Sequence, residues 1–336
     1  MPNDRKALSL LCMGDILVDM VSTIPSRELV DCSTFRRCPG GSALNTAVVA
    51  ARMGCPTAFA AIVGADFFGG YLKRFLDAEG VDTSALIVKQ GHSTGIAFTS
   101  SPGGKPTFDF VRSSPPPESF LAPEDCPERL LERVSALHLG SRFTYQIASA
   151  SFIQSCLEKA HRMGVLVTYD PNIRPASVEY PEVRHRVLAN IASSHIVKLS
   201  DDDAARLFPG ERAIDTIRRL HDSGPDLVVL TLGSRGAFVS HSAWKTAEPL
   251  TVPTPLVSVR DTVGAGDACM GALLAGLNEK GLLSRDSLAK ASVEVIIQIV
   301  RFSCAAGAAA CTAFGSLAGI QSKRKVLRIL ERSQEG

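Results

Sequence analysis

The run Asp261-Thr262-Val263-Gly264-Ala265-Gly266-Asp267 joins residue types that act together in group transfer. The small residues Gly264, Ala265 and Gly266 let the backbone come close to a ligand. A helical pattern of small and apolar residues, Ala268 to Leu277, follows at once. The amides of its first turn, with the helix dipole, suit an anion such as phosphate. An aspartate in that turn would repel an anion. Facing a neutral hydroxyl, Asp267 would instead take up the proton as phosphoryl transfer begins. It could also do no more than cap the helix, and Gly-x-Gly-Asp alone leaves both roles open.

Further candidates lie far from this run. Gly40-Gly41-Ser42-Ala43-Leu44-Asn45-Thr46-Ala47 opens a helix, with paired glycines for a tight turn and the Asn45 amide able to donate to and accept from a sugar hydroxyl. Asp15 and Asp19 follow the first strand-like run, where carboxylates could accept hydroxyl hydrogen bonds. Lys198-Leu199-Ser200-Asp201-Asp202-Asp203 joins a strand to a helix, and its three acids complement the helix dipole on any reading. Thr231-Leu232-Gly233-Ser234-Arg235-Gly236-Ala237 is a glycine-rich turn after another strand. Arg174, closing Asp170-Pro171-Asn172-Ile173-Arg174, and Arg112 could each contact hydroxyls or phosphates, or stand on the surface.

The chain resembles the ribokinase-like (PfkB) sugar kinases from about Leu10 to Ile320, in two distant signatures. The 261–267 run, continuing through Gly271-Ala272-Leu273-Leu274, is similar to their second signature; Gly40–Ala47, with Gly54 and Gly64 beyond it, is similar to the first. The resemblance makes Asp267 the catalytic base and Gly264, Ala265 and Gly266 the anion hole. It assigns sugar binding to Asp15, Asp19, Gly40, Gly41 and Asn45, with Arg112 and Arg174 as further contacts. It assigns ATP to Lys198, Ser200, Thr231, Gly233, Gly236, Cys304 and Ala308. Asp203 stands where the family has the acid that organises Mg²⁺ through water, one methylene shorter than the usual Glu. Asp261, Val263 and Gly315 would belong to a monovalent-cation (K⁺) loop. Cys304, Ser316 and Gln321 depart from common residues near the adenine edge and this loop. Cys38-Pro39 before the double glycine and the Asp-Pro-Asn-x-Arg run are similar to the fructokinase branch. Fructose is therefore the favoured acceptor, with ribose, a riboside and 2-keto-3-deoxygluconate as alternatives. A non-catalytic binding relative is the rival of another class.

These residues need a scaffold. Strand-length apolar runs recur at Leu8–Met13, Ala58–Val63, Ala136–Leu139, Val165–Tyr169, His195–Leu199 and Leu227–Leu232. Helical spacing separates them at Ala43–Met53, Tyr71–Ala78, Ala150–Met163, Pro181–Ala192 and Ala213–His221. Strands apolar on both faces and alternating with helices predict a doubly wound, mainly parallel α/β sheet covered on both sides. Ligands in such sheets bind beyond the carboxyl ends of the strands. Ile16–Ile24 and a hairpin of Ser93–Ser101 with Thr107–Val111 break the alternation. They predict a small antiparallel sheet, built from about 15–25 and 92–115, that protrudes as a lid on a single domain spanning 1–332.

The 336 residues carry 36 Lys plus Arg against 34 Asp plus Glu, a net charge of +2 that gives no basic surplus for nucleic acid or an anionic membrane. Ala291–Ala313 is the most apolar stretch, but Glu294 and Arg301 interrupt it, so a buried helix is expected. Nine scattered Cys without a CxxC pair predict reduced thiols in a cytoplasmic protein. Met1–Lys6 lacks a signal-peptide pattern, and Ser333–Gly336 is expected to fray. A Walker A run, His-Glu-x-x-His and a Rossmann glycine fingerprint are all absent. The family resemblance makes a small sugar and ATP the expected partners, with a homodimer through the lid sheet as in several members of the family.

Overall fold

A computed structural model describes residues 8–24, 26–102, 107–113, 115–173, 180–244 and 248–332. Arg174, the Gly103-Gly104-Lys105 turn, Met1–Lys6 and Ser333–Gly336 lie outside the described residues.

The strands are β1 Leu10–Gly14, β2 Leu17–Ser22, β3 Phe35–Gly40, β4 Thr57–Gly64, β5 Asp82–Lys89, β6 Ile96–Ser100, β7 Thr107–Val111, β8 Ala136–Gly140, β9 Leu166–Asp170, β10 Ile196–Ser200, β11 Leu227–Thr231, β12 Ala237–His241 and β13 Leu250–Val252. The helices are α1 Ser42–Arg52, α2 Phe67–Ala78, α3 Glu128–Leu131, α4 Ala150–Arg162, α5 Pro181–Ala192, α6 Asp201–Leu207, α7 Ala213–Ser223, α8 Ala265–Glu279, α9 Arg285–Ala289, α10 Val293–Ala310 and α11 Lys323–Arg332.

Nine strands form one sheet in the order β13-β12-β11-β10-β9-β8-β1-β4-β5. It is parallel from β11 to β5, and β12 and β13 close one edge antiparallel. The period of two along a strand divides β1 between two cores. Leu10 and Cys12 pack with α1, α8 and α10, whereas Leu11 and Met13 pack with α4, α5 and α7. This is the doubly wound α/β sheet that the alternation of runs predicts. The apolar 291–313 stretch forms α10, which packs on α8 with 61% of its residues buried.

The chain leaves β1 toward β4 and β5, then returns to β8 on the other side. That reversal opens a crevice beyond the carboxyl ends of β1 and β8, the place where such folds bind ligands.

The second sheet has the order β3-β2-β6-β7. Two expectations change here. Phe35–Gly40 joins as a full strand, outside the segments read as the sheet, because it pairs antiparallel with β2 in a contact that no local pattern announces. The sheet is also not wholly antiparallel: β2 and β6 run parallel, joined by a long excursion through the core.

Candidate active site

A cavity of about 920 Å³ opens between the carboxyl ends of the large sheet, the second sheet and the start of α8. Of the residues singled out from the sequence, Asp15, Asp19, Gly41, Asn45, Arg112, Lys198, Ser200, Asp203, Thr231, Gly233, Gly236, Val263, Gly264, Ala265, Gly266, Asp267, Cys304 and Ala308 line it. Gly40, Asp261 and Gly315 are not among the residues that line it.

Gly264 is the N-cap of α8 with φ +79°, a left-handed backbone that glycine adopts without strain. A Cβ at Gly264 would also meet Ser316 Cβ at 2.6 Å, so this turn has no room for a side chain. No side chain caps α8; the Ala265 amide donates to Thr262 O at 3.3 Å, and the amides that follow it in the first turn border the cavity. Asp267 therefore does not cap its helix. Its Oδ1 accepts from Ser42 Oγ at 2.6 Å and its Oδ2 from Asn45 Nδ2 at 2.8 Å. Asn45 Oδ1 in turn accepts from Ser316 Oγ at 3.0 Å. The chain thus uses the Asn45 amide, read as a sugar contact, to aim a carboxylate that is itself only 6% exposed.

Lys198 and Asp170 form a buried ion pair at 2.9 Å on neighbouring strands. Lys198 Nζ lies 3.4 Å from where a Gly266 side chain would start, which puts the ammonium beside the anion hole. Burial opposes the Lys198 charge, but Asp170, Cys269 and Asp203 outweigh it and push its pKa up. Burial raises the Asp170 carboxyl to about 6 despite the pull of Lys198. Its Oδ1 is buried and accepts no hydrogen bond.

Asp203 works as a capping-box acid. Its Oδ2 accepts from Ser200 N and Oγ at 3.1 and 2.6 Å, and its Oδ1 accepts from Ile173 N at 2.8 Å. Asp15 Oδ2 accepts from Ser141 Oγ at 2.8 Å. Asp19 is buried, and a side chain at Gly40 would collide with its carboxylate. Gly41 has φ +107°, and a side chain there would strike the Asp15 carbonyl. Arg112 reaches the cavity from beyond β7 and lies 3.9 Å from Glu118. On the opposite side, Thr231 Oγ1 donates to Leu199 O at 3.2 Å, and Gly233 and Gly236 turn the chain with positive φ. Asp261 accepts from Ser101 Oγ and Val263 N at 3.2 Å and from Gly315 N at 2.9 Å. Its side chain fastens the loop that the family resemblance assigns to a cation. Among the described residues, no group of three or more His, Cys, Asp or Glu could hold a metal ion by itself.

Sequence reading missed Ser42, Ser141 and Ser316 as site residues, since a lone hydroxyl carries no pattern. Asp170 stood in a quoted motif but was not assigned a role.

An aspartate beside a helix N-terminus and a buried lysine, in one cavity, can hold an anion and deprotonate a neighbouring hydroxyl. Comparison with known proteins agrees. Residues 7–323 match the model of the pfkB family carbohydrate kinases, and the chain belongs to that family. It is an ATP-dependent carbohydrate kinase. It is 28% identical over 328 residues to fructokinase-1 of Zea mays, which covers 96% of this chain and 98% of that one. The fructokinase of Xylella fastidiosa with bound ATP superposes with TM-score 0.84 at 25% identity, covering 98% and 99% of the two chains. A double mutant of the Vibrio cholerae O395 fructokinase, in its fructose-, ADP- and potassium-bound form, gives TM-score 0.80 at 26% identity, covering 96% and 98%.

Proposed function

We propose that the enzyme is a fructokinase, transferring the γ-phosphoryl group of ATP to a primary hydroxyl of fructose. The observation that carries the chemistry is Asp267, held by Ser42 and Asn45 in the first turn of an uncapped helix beside Lys198. The choice of fructose is supported by the fructokinases this chain matches along nearly its whole length.

The sugar occupies the end lined by Asp15, Asp19, Gly41 and Arg112, and ATP the end lined by Ser200, Thr231, Gly233, Gly236, Cys304 and Ala308. The acceptor hydroxyl gives its proton to Asp267 as its oxygen forms the new bond to the γ-phosphorus. The bond from that phosphorus to the β–γ bridging oxygen breaks, and ADP leaves. The amides at Gly264, Ala265 and Gly266, with the Lys198 ammonium, stabilise the charge that develops on the moving group. The unpartnered Asp170 Oδ1 and the nearby Asp203 suit a hydrated divalent cation. Mg²⁺ bound there with the nucleotide would neutralise phosphate charge. Asp261, Val263 and Gly315 supply the loop for a potassium ion. The four-stranded sheet, whose Leu17, Ala97, Phe108 and Phe110 face the cavity, acts as a lid that keeps water from the γ-phosphate. The free thiols fit a cytoplasmic enzyme. A homodimer through the lid sheet is part of this reading, and sedimentation of the pure enzyme tests it.

The deciding experiment measures ADP release from Mg-ATP with fructose, ribose, 2-keto-3-deoxygluconate and ribosides, with Asp267→Ala as control. Fastest turnover on fructose that collapses in the variant is expected. Preference for a riboside or for 2-keto-3-deoxygluconate overturns the fructose assignment. Turnover that survives Asp267→Ala overturns the base.

A further inference from the structure

Three of the nine cysteines, Cys269, Cys304 and Cys311, line the same cavity. Cys304 borders the nucleotide end, but none of the three forms or breaks a bond in the transfer above. Two of these thiols belong together. Cys269 lies in the second turn of α8, and Cys304 in α10, the helix packed most extensively against it. The two thiols are near enough to shift each other's titration, and Cys269 Sγ donates to Ser303 Oγ, on the residue before Cys304, at 3.5 Å. The helices approach closely here because Gly307 follows Cys304 by one turn. A Cβ on Gly307 would stand 3.1 Å from Ala265 O and 3.7 Å from Cys269 Cβ, so the glycine is what lets the two helices come this close. Each thiol keeps a sliver of exposure, 4% at Cys269 and 5% at Cys304, and both border the cavity.

We propose that Cys269 and Cys304 are an oxidisable dithiol whose route to solvent is the nucleotide end of the cavity, so that a peroxide converts them to a disulfide only while that end is empty. Cys269 is the attacking sulfur. The neighbouring Cys304 thiol and the Lys198 ammonium hold its pKa below the ordinary thiol value, whereas Cys304 is pushed up. The Cys269 thiolate attacks one peroxide oxygen, the O–O bond breaks, and the sulfur becomes a sulfenic acid while the other oxygen leaves as water after taking a proton. The Cys304 sulfur then attacks the sulfenic sulfur, the S–S bond forms, and the hydroxyl leaves as a second water with the Cys304 proton. Two thiols lose two electrons and the peroxide gains them.

The molecule carries its own control. Cys126 and Cys156 are a second pair of neighbouring thiols, packed in the core on the opposite face of the large sheet and away from the cavity.

The test is hydrogen peroxide treatment of the whole enzyme with and without saturating Mg-ATP, followed by non-reducing digestion and mass spectrometry. The expected result is a Cys269–Cys304 linked peptide that a dithiol reductant removes. Mg-ATP should slow its formation at least tenfold, while any Cys126–Cys156 linkage is indifferent to nucleotide. In Cys304→Ala, Cys269 should be trapped by dimedone as the sulfenic acid. The slowing rests on the nucleotide placement proposed above; the linkage does not. Absence of both the linked peptide and the trapped sulfenic acid, in protein whose circular dichroism is native, overturns the dithiol. A linkage that forms at the same rate when a thermal shift shows Mg-ATP bound overturns the cavity as its route.

Discussion

Ser42 Oγ donates a 2.6 Å hydrogen bond to Asp267 Oδ1, joining the first turns of α1 and α8 across 225 positions of sequence. The two helices pack along each other. Gly271 permits this, since a side chain there would meet Thr46 O at 2.6 Å and Val49 Cβ at 2.8 Å. The glycine-rich start of α1 and the anion-hole run are therefore one mechanical unit. The first holds the carboxylate proposed as the base, and the second carries it.

Removing the donor should weaken the base without removing it. A hydrogen bond to a charged group contributes about 1.5–3 kcal/mol. Ser42→Ala should therefore lower kcat by roughly ten- to a hundredfold, with little change in nucleotide affinity. Steady-state kinetics with a separate nucleotide-binding titration checks this.

Replacing the base itself should cost more. Asp267→Asn keeps the size of the side chain and loses the proton acceptor, so kcat should fall by about 10²–10⁴. ATP binding measured by calorimetry should persist. An unchanged kcat would show that the carboxylate does not accept the proton.

Gly264→Ala tests the turn. The substitution sets a methyl against Ser316 and imposes φ +79° on a residue that avoids it. Denaturant unfolding should show a loss of about 1–3 kcal/mol, and activity should fall as the amides of α8 shift.

Asp170 supplies a pH prediction. Its folded carboxyl is raised to about 6, above the ordinary 3.8, so the folded state binds the proton more tightly than the unfolded chain. Its contribution to stability is then fully present below about 4 and is lost as pH rises through about 6. Against Asp170→Asn, which does not titrate, the wild type should gain stability as pH falls from 7 to 4, by up to about 3 kcal/mol. Parallel melting curves across that range check the sign. A wild type that loses ground on acidification would show a depressed pKa instead.

The strands β1, β4, β8, β9, β10 and β11 were legible because each is apolar on both faces, a property carried by its own residues. β3 was not, since only its last residue is buried and its reason for being a strand is β2. β13 has three residues and no pattern to read. The Ser200–Asp203 capping box was half legible. Its spacing is local, but the Ile173 amide that completes it lies 30 residues earlier.

By itself, then, the sequence determined the class of fold, and it singled out the run proposed as an anion site with the aspartate within it. These depend on residues close together in the chain, whose spacing selects helix, strand or turn. Only the tertiary structure decided that Asp267 is aimed by Ser42 and Asn45, that Asn45 is held by Ser316 271 positions away, and that Lys198 stands beside the anion hole paired with Asp170. A hydroxyl or amide has the same chemistry wherever it occurs. What it does depends on which partner the packing of α1, α8 and the sheet brings within 3 Å of it.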